Sequence, residues 1–407
     1  MRSAASKNKT LAGKKRLSPI FVCVLSVFLL VTLFYLVYAS IFILEARLGH
    51  HDTQWFWASG QLLVHRANPY DQEAVGRMLA ALGIPVETNN IVRTPPHALL
   101  LTIPLGFLQP WESVPVWSLL LAVCLGLSVH TMRAMLRKPY DRRYLWLAWC
   151  FAPAVCCIEV GQTGVVLLLG LTLFLRFHEQ RRFWAGVALS LCAIKPHLFL
   201  PFGVALIAWI ITRRAWGIVS GAVVALAVEN SAAMLFDHAV WIHYLAAMRT
   251  QNIEGFFVPT LGAAMRFTLD QMAMWLQFVP AMLGCVWALW YFLRNRERWD
   301  WRTHGSLLTL VSMVAAPYSW FTDQVIALPA ILFALLGTKQ PRKGSLTLLL
   351  VLMIAATVER LMTETLYFPV FMWQGVAWLA WYLYATSNAA PASDAPRART
   401  LASRAVS

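Results

Sequence analysis

Asp52 has the clearest opening for chemistry in this chain. It stands in the run Gly49-His50-His51-Asp52-Thr53-Gln54-Trp55-Phe56-Trp57, a few residues past the end of an apolar stretch. A carboxylate at such a boundary can take a proton from an attacking hydroxyl. It can equally cap the helix-compatible run that follows, as Asp often does. Histidines beside a carboxylate raise the question of a metal. Adjacent residues seldom ligate one ion comfortably, so no metal is expected. Trp55 and Trp57 can stack on a sugar face, or anchor the chain at a membrane interface, where tryptophan is enriched.

Four further clusters carry polar groups next to apolar runs. Arg93-Thr94-Pro95-Pro96-His97 leads into a short apolar segment. A Pro-Pro pair can start a helix but not sit inside one. Lys195-Pro196-His197 lies between two short apolar runs. Cations at that depth are costly unless paired or functional. Two of them together suit a phosphate; the alternative is a lysine snorkelling from a helix end. In Glu159-Val160-Gly161-Gln162 the glutamine can hydrogen-bond a ligand hydroxyl, or simply belong to a helix-breaking turn. In Pro317-Tyr318-Ser319-Trp320-Phe321-Thr322-Asp323-Gln324, Tyr318 and Asp323 can hold a sugar or position a lysine. Asp323 can also cap a helix starting at Val325. Glu229, in the middle of another apolar run, can pair with a cation.

The elements that must position these residues are membrane helices. The chain has 407 residues, 59% of them hydrophobic and 13% charged, against roughly 25% charged in soluble domains. The apolar residues come in blocks of roughly 15–25, the length that crosses a bilayer. The expected fold is all-α: a polytopic bundle of about twelve spans over residues 1–388, with a tail at 389–407. The first span occupies 17–44, a long outer loop with partly embedded helices 45–110, and the remaining spans 111–388. Those spans are expected near Val114–Leu136, Tyr144–Ile158, Val165–Phe177, Phe183–Ile194, Leu198–Thr212 and Trp216–Phe236. Five more are expected near Met272–Leu293, Leu307–Pro317, Val325–Leu336, Leu346–Val358 and Phe368–Ala385. The first apolar stretch is too long for a signal-peptide core of roughly 7–15 residues, so it reads as an uncleaved span.

Charge fixes the expected orientation. With both termini in the cytoplasm, 26 of the 34 lysines and arginines fall in cytoplasmic segments, as the positive-inside rule requires. The net charge of +15 is therefore an orientation signal and excludes a nucleic-acid partner. The candidate clusters all fall on the extracytoplasmic side of an inner (plasma) membrane. The seven cysteines lie in or beside apolar segments, with no C-x-x-C pair, and read as packing residues.

The order of these pieces resembles glycosyltransferase family 87, of the GT-C superfamily. An Asp after the first span is followed by Asn68-Pro69-Tyr70, Pro95-Pro96, Gly161-Gln162, Lys195-Pro196-His197 and Pro317-Tyr318 with Asp323. The best-known members of that family are polyprenyl-phosphate-mannose-dependent mannosyltransferases. The resemblance implies a GT-C-like bundle that takes a sugar, mannose by default, from a polyprenyl phosphate in the outer leaflet. It passes the sugar, with inversion, to a hydroxyl of a glycolipid or glycan acceptor. Asp52 matches the family's general base. Lys195, His197 and Arg93 would hold the donor phosphate. Gln162, Tyr318, Asp323, Trp55 and His51 would hold sugar or acceptor. No cofactor is implied, since the lipid-linked sugar is a substrate. Two other readings remain open. One is an O-antigen polymerase or ligase, using His238, His243, Arg249 and Arg266 of the late loop. The other is a lipid or solute transporter, which would line a mid-membrane path with charges.

Overall fold

The computed structural model describes residues 18–45, 51–84, 92–136, 142–250, 257–337, 341–363 and 369–388. The basic N-terminal tail, His50 and the tail at 389–407 lie outside them. Among the described residues the chain is helical, with no strand. The α-helices are α1 (Pro19–Leu44), α2 (Thr53–Val64), α3 (Gln72–Ala81), α4 (Pro110–Met135), α5 (Ala152–Val160), α6 (Gly164–Phe177), α7 (Arg182–Cys192) and α8 (Leu200–Arg213). They continue with α9 (Trp216–Phe236), α10 (Val240–Arg249), α11 (Leu261–Leu269), α12 (Val279–Asn295), α13 (His304–Ala315), α14 (Leu328–Leu332), α15 (Ser345–Met362) and α16 (Met372–Thr386).

Among the described residues, six helical segments are long and apolar enough to cross a membrane: Pro19–Leu44, Pro110–Met135, Pro196–Arg213, Trp216–Phe236, Met274–Arg298 and Ser345–Met362. Shorter apolar helices stand beside them at Gly164–Phe177, Arg182–Cys192, His304–Ala315 and Phe321–Gly337. This is a multi-pass membrane bundle. Its outward faces are apolar, as a lipid solvent requires: α1 exposes Leu30, Leu33 and Phe34.

Several expected spans are built from mixed helical geometry. The segment expected at Tyr144–Ile158 is a 3-10 stretch, Arg142–Ala148, followed by α5. Pro153, in the first turn of α5, has no N–H to continue an earlier helix. The segment expected at Val325–Leu336 begins earlier, as a 3-10 helix at Phe321–Ala327. It passes through α14 and ends in a π turn at Phe333–Gly337. The embedded segment expected after Pro96 is a pair of 3-10 helices, Pro96–Leu101 and Ile103–Phe107.

Helices in lipid gain little from hydrophobicity and pack by close van der Waals contact, which favours small residues. α7 and α9 cross on glycines. A Cβ on Gly186 would lie 1.9 Å from the Ile218 carbonyl oxygen, and one on Gly221 would lie 1.9 Å from that of Phe183. The segment between α1 and α4 folds back in the same way. α2 crosses Ile103–Phe107 where Gly60 and Gly106 let the two backbones touch. The Trp57 indole and the Gln61 amide then donate to the Leu108 carbonyl at 3.0 and 3.2 Å. The result is a small second core, separate from the main one, formed by Trp57, Leu63, Tyr70, Leu79, Leu99 and Val240 among others.

A buried ion pair joins helices distant in sequence. The Arg360 guanidinium of α15 donates to Glu159 of α5, and the Tyr35 hydroxyl of α1 donates to the same carboxylate at 2.6 Å. Charges at such depth persist only when paired, so this contact ties three helices at one level.

Candidate active site

α5 ends because Gly161 adopts φ +77°, a left-handed conformation that glycine takes without strain. The N–H of Gln162 closes the turn on the Cys157 carbonyl at 2.9 Å. The Trp117 indole holds the turn from α4, donating to the Gly161 carbonyl at 2.8 Å. This turn carries the next two contacts. The backbone N–H of Asp52 donates to the Val160 carbonyl at 2.7 Å, so the start of α2 is docked on the end of α5. His51 packs directly over Gly161, where a Cβ would sit 2.4 Å from its Cε1. Its Nδ1 meets the Thr53 hydroxyl, and burial pushes its pKa down to about 4, leaving a neutral imidazole near pH 7.

Four of the candidate side chains then join in one chain of hydrogen bonds. The Gln162 amide donates to Asp52 Oδ2. Lys195 Nζ donates to Gln162 Oε1 at 3.1 Å and to Asp323 Oδ1 at 2.6 Å. Asp323 Oδ2 accepts the Trp320 N–H at 3.0 Å. Asp323 is fully buried, and Lys195 keeps 17% of its side-chain surface. Asp323 thus pairs with the lysine through one oxygen; it caps no helix at Val325, because the 3-10 helix already starts at Phe321, and its other oxygen bonds back to the Trp320 N–H. Asp52 precedes α2, yet its carboxylate caps no N–H of that helix.

The electrostatics of Asp52 follow from this setting. Burial lifts its carboxyl above the usual aspartate value, and the nearby Asp323 charge pushes the same way. The Gln162 hydrogen bond and the Lys195 charge oppose the rise without cancelling it. A carboxylate with a raised pKa is a better proton acceptor than an ordinary surface aspartate.

The remaining candidates make contacts of their own. The His197 ring meets Tyr318 edge-on, with ring centroids 5.9 Å apart. Burial raises the Tyr318 phenol, while the charges of Arg266 and Arg93 draw it down, so both guanidinium groups act on this tyrosine. Arg93 itself is exposed. Trp55 packs against the small second core. Glu229, a candidate partner for a cation, accepts instead from the Ser190 hydroxyl at 2.6 Å. In the late loop, His243 is paired with Asp237 at 2.6 Å.

Arg266 entered the sequence reading only as a late-loop residue of the polymerase alternative, and the Arg360 contact did not enter it. Arg266 is fully buried and donates to the Gln271 carbonyl at 2.8 Å, with its guanidinium over the Phe267 ring. The Tyr35–Glu159–Arg360 contact supports α5 one residue before the Val160 carbonyl that anchors Asp52. The available signal was an arginine inside an apolar run, Arg360, with a glutamate in another, Glu159.

No curated protein and no solved structure matches this chain. A family model does. That of glycosyltransferase family 87 covers residues 94–317, more than half of the sequence. The matched region holds Gln162, Lys195, His197 and the buried Arg266, while Asp52 and Asp323 flank it. With this match the chain belongs to glycosyltransferase family 87.

Proposed function

We propose that this membrane glycosyltransferase takes its sugar, mannose in the first instance, from a polyprenyl phosphate. It passes the sugar with inversion to a hydroxyl acceptor on the extracytoplasmic face. The observation that carries this reading is the hydrogen-bonded chain Asp52–Gln162–Lys195–Asp323, which gathers four segments far apart in sequence at one place.

Asp52 accepts the acceptor's O–H proton as the oxygen attacks the anomeric carbon. The bond from that carbon to the phosphate oxygen breaks, and the polyprenyl phosphate leaves with the electron pair. Such a leaving group needs positive charge on its oxygens rather than a strong acid. The Lys195 ammonium has three protons. Two go to Gln162 and Asp323, and the third can meet a phosphate oxygen. Arg93 and His197 border the same region through Tyr318. Membership of a glycosyltransferase family does not suit the transporter reading.

The test is sugar transfer from a synthetic polyprenyl-phosphate mannose in membranes carrying the protein. Asp52→Asn keeps the shape of the side chain and removes the base. Transfer should fall at least about a hundredfold, within the roughly 10²–10⁴ that a general base contributes. Equal activity in both proteins would move the base elsewhere. Activity only with another polyprenyl-linked sugar would replace mannose and keep the mechanism.

A further inference from the structure

We infer that Gln162, held by the Lys195–Asp323 pair, is a positioning residue that orients and tunes the Asp52 carboxylate, rather than a group that holds the sugar. The inference rests on Asp52 being the base.

The argument is one of hydrogen-bond polarity. An ammonium group only donates. Lys195 Nζ, 3.1 Å from the Gln162 side chain, must therefore face its carbonyl oxygen. The NH2 of the same amide is then turned toward Asp52, where it donates to Oδ2. The flip of a side-chain amide is usually uncertain, but here its two neighbours decide it. A carboxylate can accept only from the NH2 end, and a lysine can donate only to the oxygen end.

Asp323 completes the device. It is fully buried, with one oxygen on Lys195 and the other on the Trp320 N–H. A carboxylate so enclosed offers nothing to a sugar hydroxyl. Its effect is to fix the lysine, the lysine fixes the amide, and the amide fixes one oxygen of Asp52. The other oxygen, Oδ1, is left for the acceptor's proton.

The elements around Asp52 carry several charged and titratable groups. His51 is its own neighbour in sequence, and Cys157 and Glu159 lie on α5. Lys195 and His197 lie between α7 and α8, and Tyr318 and Asp323 lie between α13 and α14; of all these groups, Lys195 and Asp323 are the ones whose charges act on Asp52. Glu159 is paired with Arg360, and Asp323 with Lys195. That leaves the Gln162 hydrogen bond and the Lys195 charge as the contacts that favour ionised Asp52.

The experiment is an infrared titration of the purified full-length protein in lipid nanodiscs. The protonated Asp52 carboxyl band is identified by its loss in Asp52→Asn. In Gln162→Met the midpoint of that band should move up by about one pH unit, because a hydrogen bond to the charged form is lost. Gln162→Glu keeps the size and polarity of the side chain and puts a second carboxyl beside Asp52, so it should move the midpoint further up. The double variant Lys195→Met with Asp323→Asn removes the ion pair without stranding a buried charge. It should shift the midpoint in the same direction. Each variant is read against its own Asp52→Asn counterpart. Midpoints unchanged in Gln162→Met and Gln162→Glu would overturn the inference. So would an unchanged midpoint in the double variant, since the ion pair would then have no hold on Asp52. These results are independent of the transfer assay, where full activity in Asp52→Asn would instead remove Asp52 as the base.

Discussion

At the scale of single residues, Asp52 sets function against stability. Its carboxyl titrates above the usual aspartate value because burial disfavours the charge. The base works only when ionised, so transfer should be lost as pH falls through that raised pKa. The acid limb of kcat/KM should therefore lie above about 3.9, the value of a free aspartate, and disappear in Asp52→Asn. The stability effect runs the other way. A folded-state pKa above the unfolded one means that protonation favours the fold. That contribution is complete below the unfolded pKa and is lost as pH rises through the folded one. At neutral pH the ionised carboxylate thus weighs against folding. Asp52→Asn should melt at a higher temperature than the native protein at pH 7.5, with the gap closing toward pH 4. Thermal unfolding of both proteins in one detergent at the two pH values measures it. A lower melting temperature for the variant at pH 7.5 would contradict the assigned direction.

Among the elements, the turn after α5 matters most. Gly161 needs its left-handed backbone, and a methyl group there would strike both His51 and Thr53 at 2.4 Å. Gly161→Ala should cost on the order of 3 kcal/mol, from backbone strain together with overpacking. Transfer should fall further than the folded fraction does, because the Val160 carbonyl that anchors Asp52 belongs to the same turn. Chemical unfolding and the transfer assay together separate the two losses. This turn was legible in the sequence as a helix break, since glycine followed by a polar residue at the end of an apolar run has few other uses. Asp52, Gln162, Lys195 and Asp323 were legible for a similar reason: each is a polar group in a short non-apolar stretch between long apolar ones. Helical geometry was less so. In Tyr144–Ile158, Pro153 marks a break, but the apolar run before it does not tell a 3-10 stretch from an α-helical one. The Tyr35–Glu159–Arg360 contact was invisible as a contact, because it depends on how α1, α5 and α15 are arranged in space.

For the molecule as a whole, the proposed orientation places α3 outside and the segment after α12 inside. Both can be marked by single cysteines read with a membrane-impermeant maleimide in intact cells. Glu73→Cys, on an exposed position of α3, should react without permeabilisation. Glu297→Cys, in the exposed turn Arg296–Arg298, should react only after it. The opposite pattern would put the site on the cytoplasmic face and remove a lipid-linked donor of the outer leaflet. The two glycine crossings, Gly186 with Gly221 and Gly60 with Gly106, bring backbones into direct contact in the bundle and in the segment between α1 and α4.

The long sequence separation between Asp52 and Asp323 has a bearing on how the protein is made. During synthesis Asp52 emerges early, with the segment that will dock on α5. Lys195 waits for its carboxylate partner until the chain has grown to Asp323, an interval of roughly 6–26 s at 5–20 residues per second. Until then the lysine and the amide have only part of their final surroundings. The small second core is likewise incomplete until Val240 arrives. A nascent chain arrested before Asp323 therefore has no assembled reaction centre. Activity should switch on as a single late event in biogenesis rather than grow with chain length.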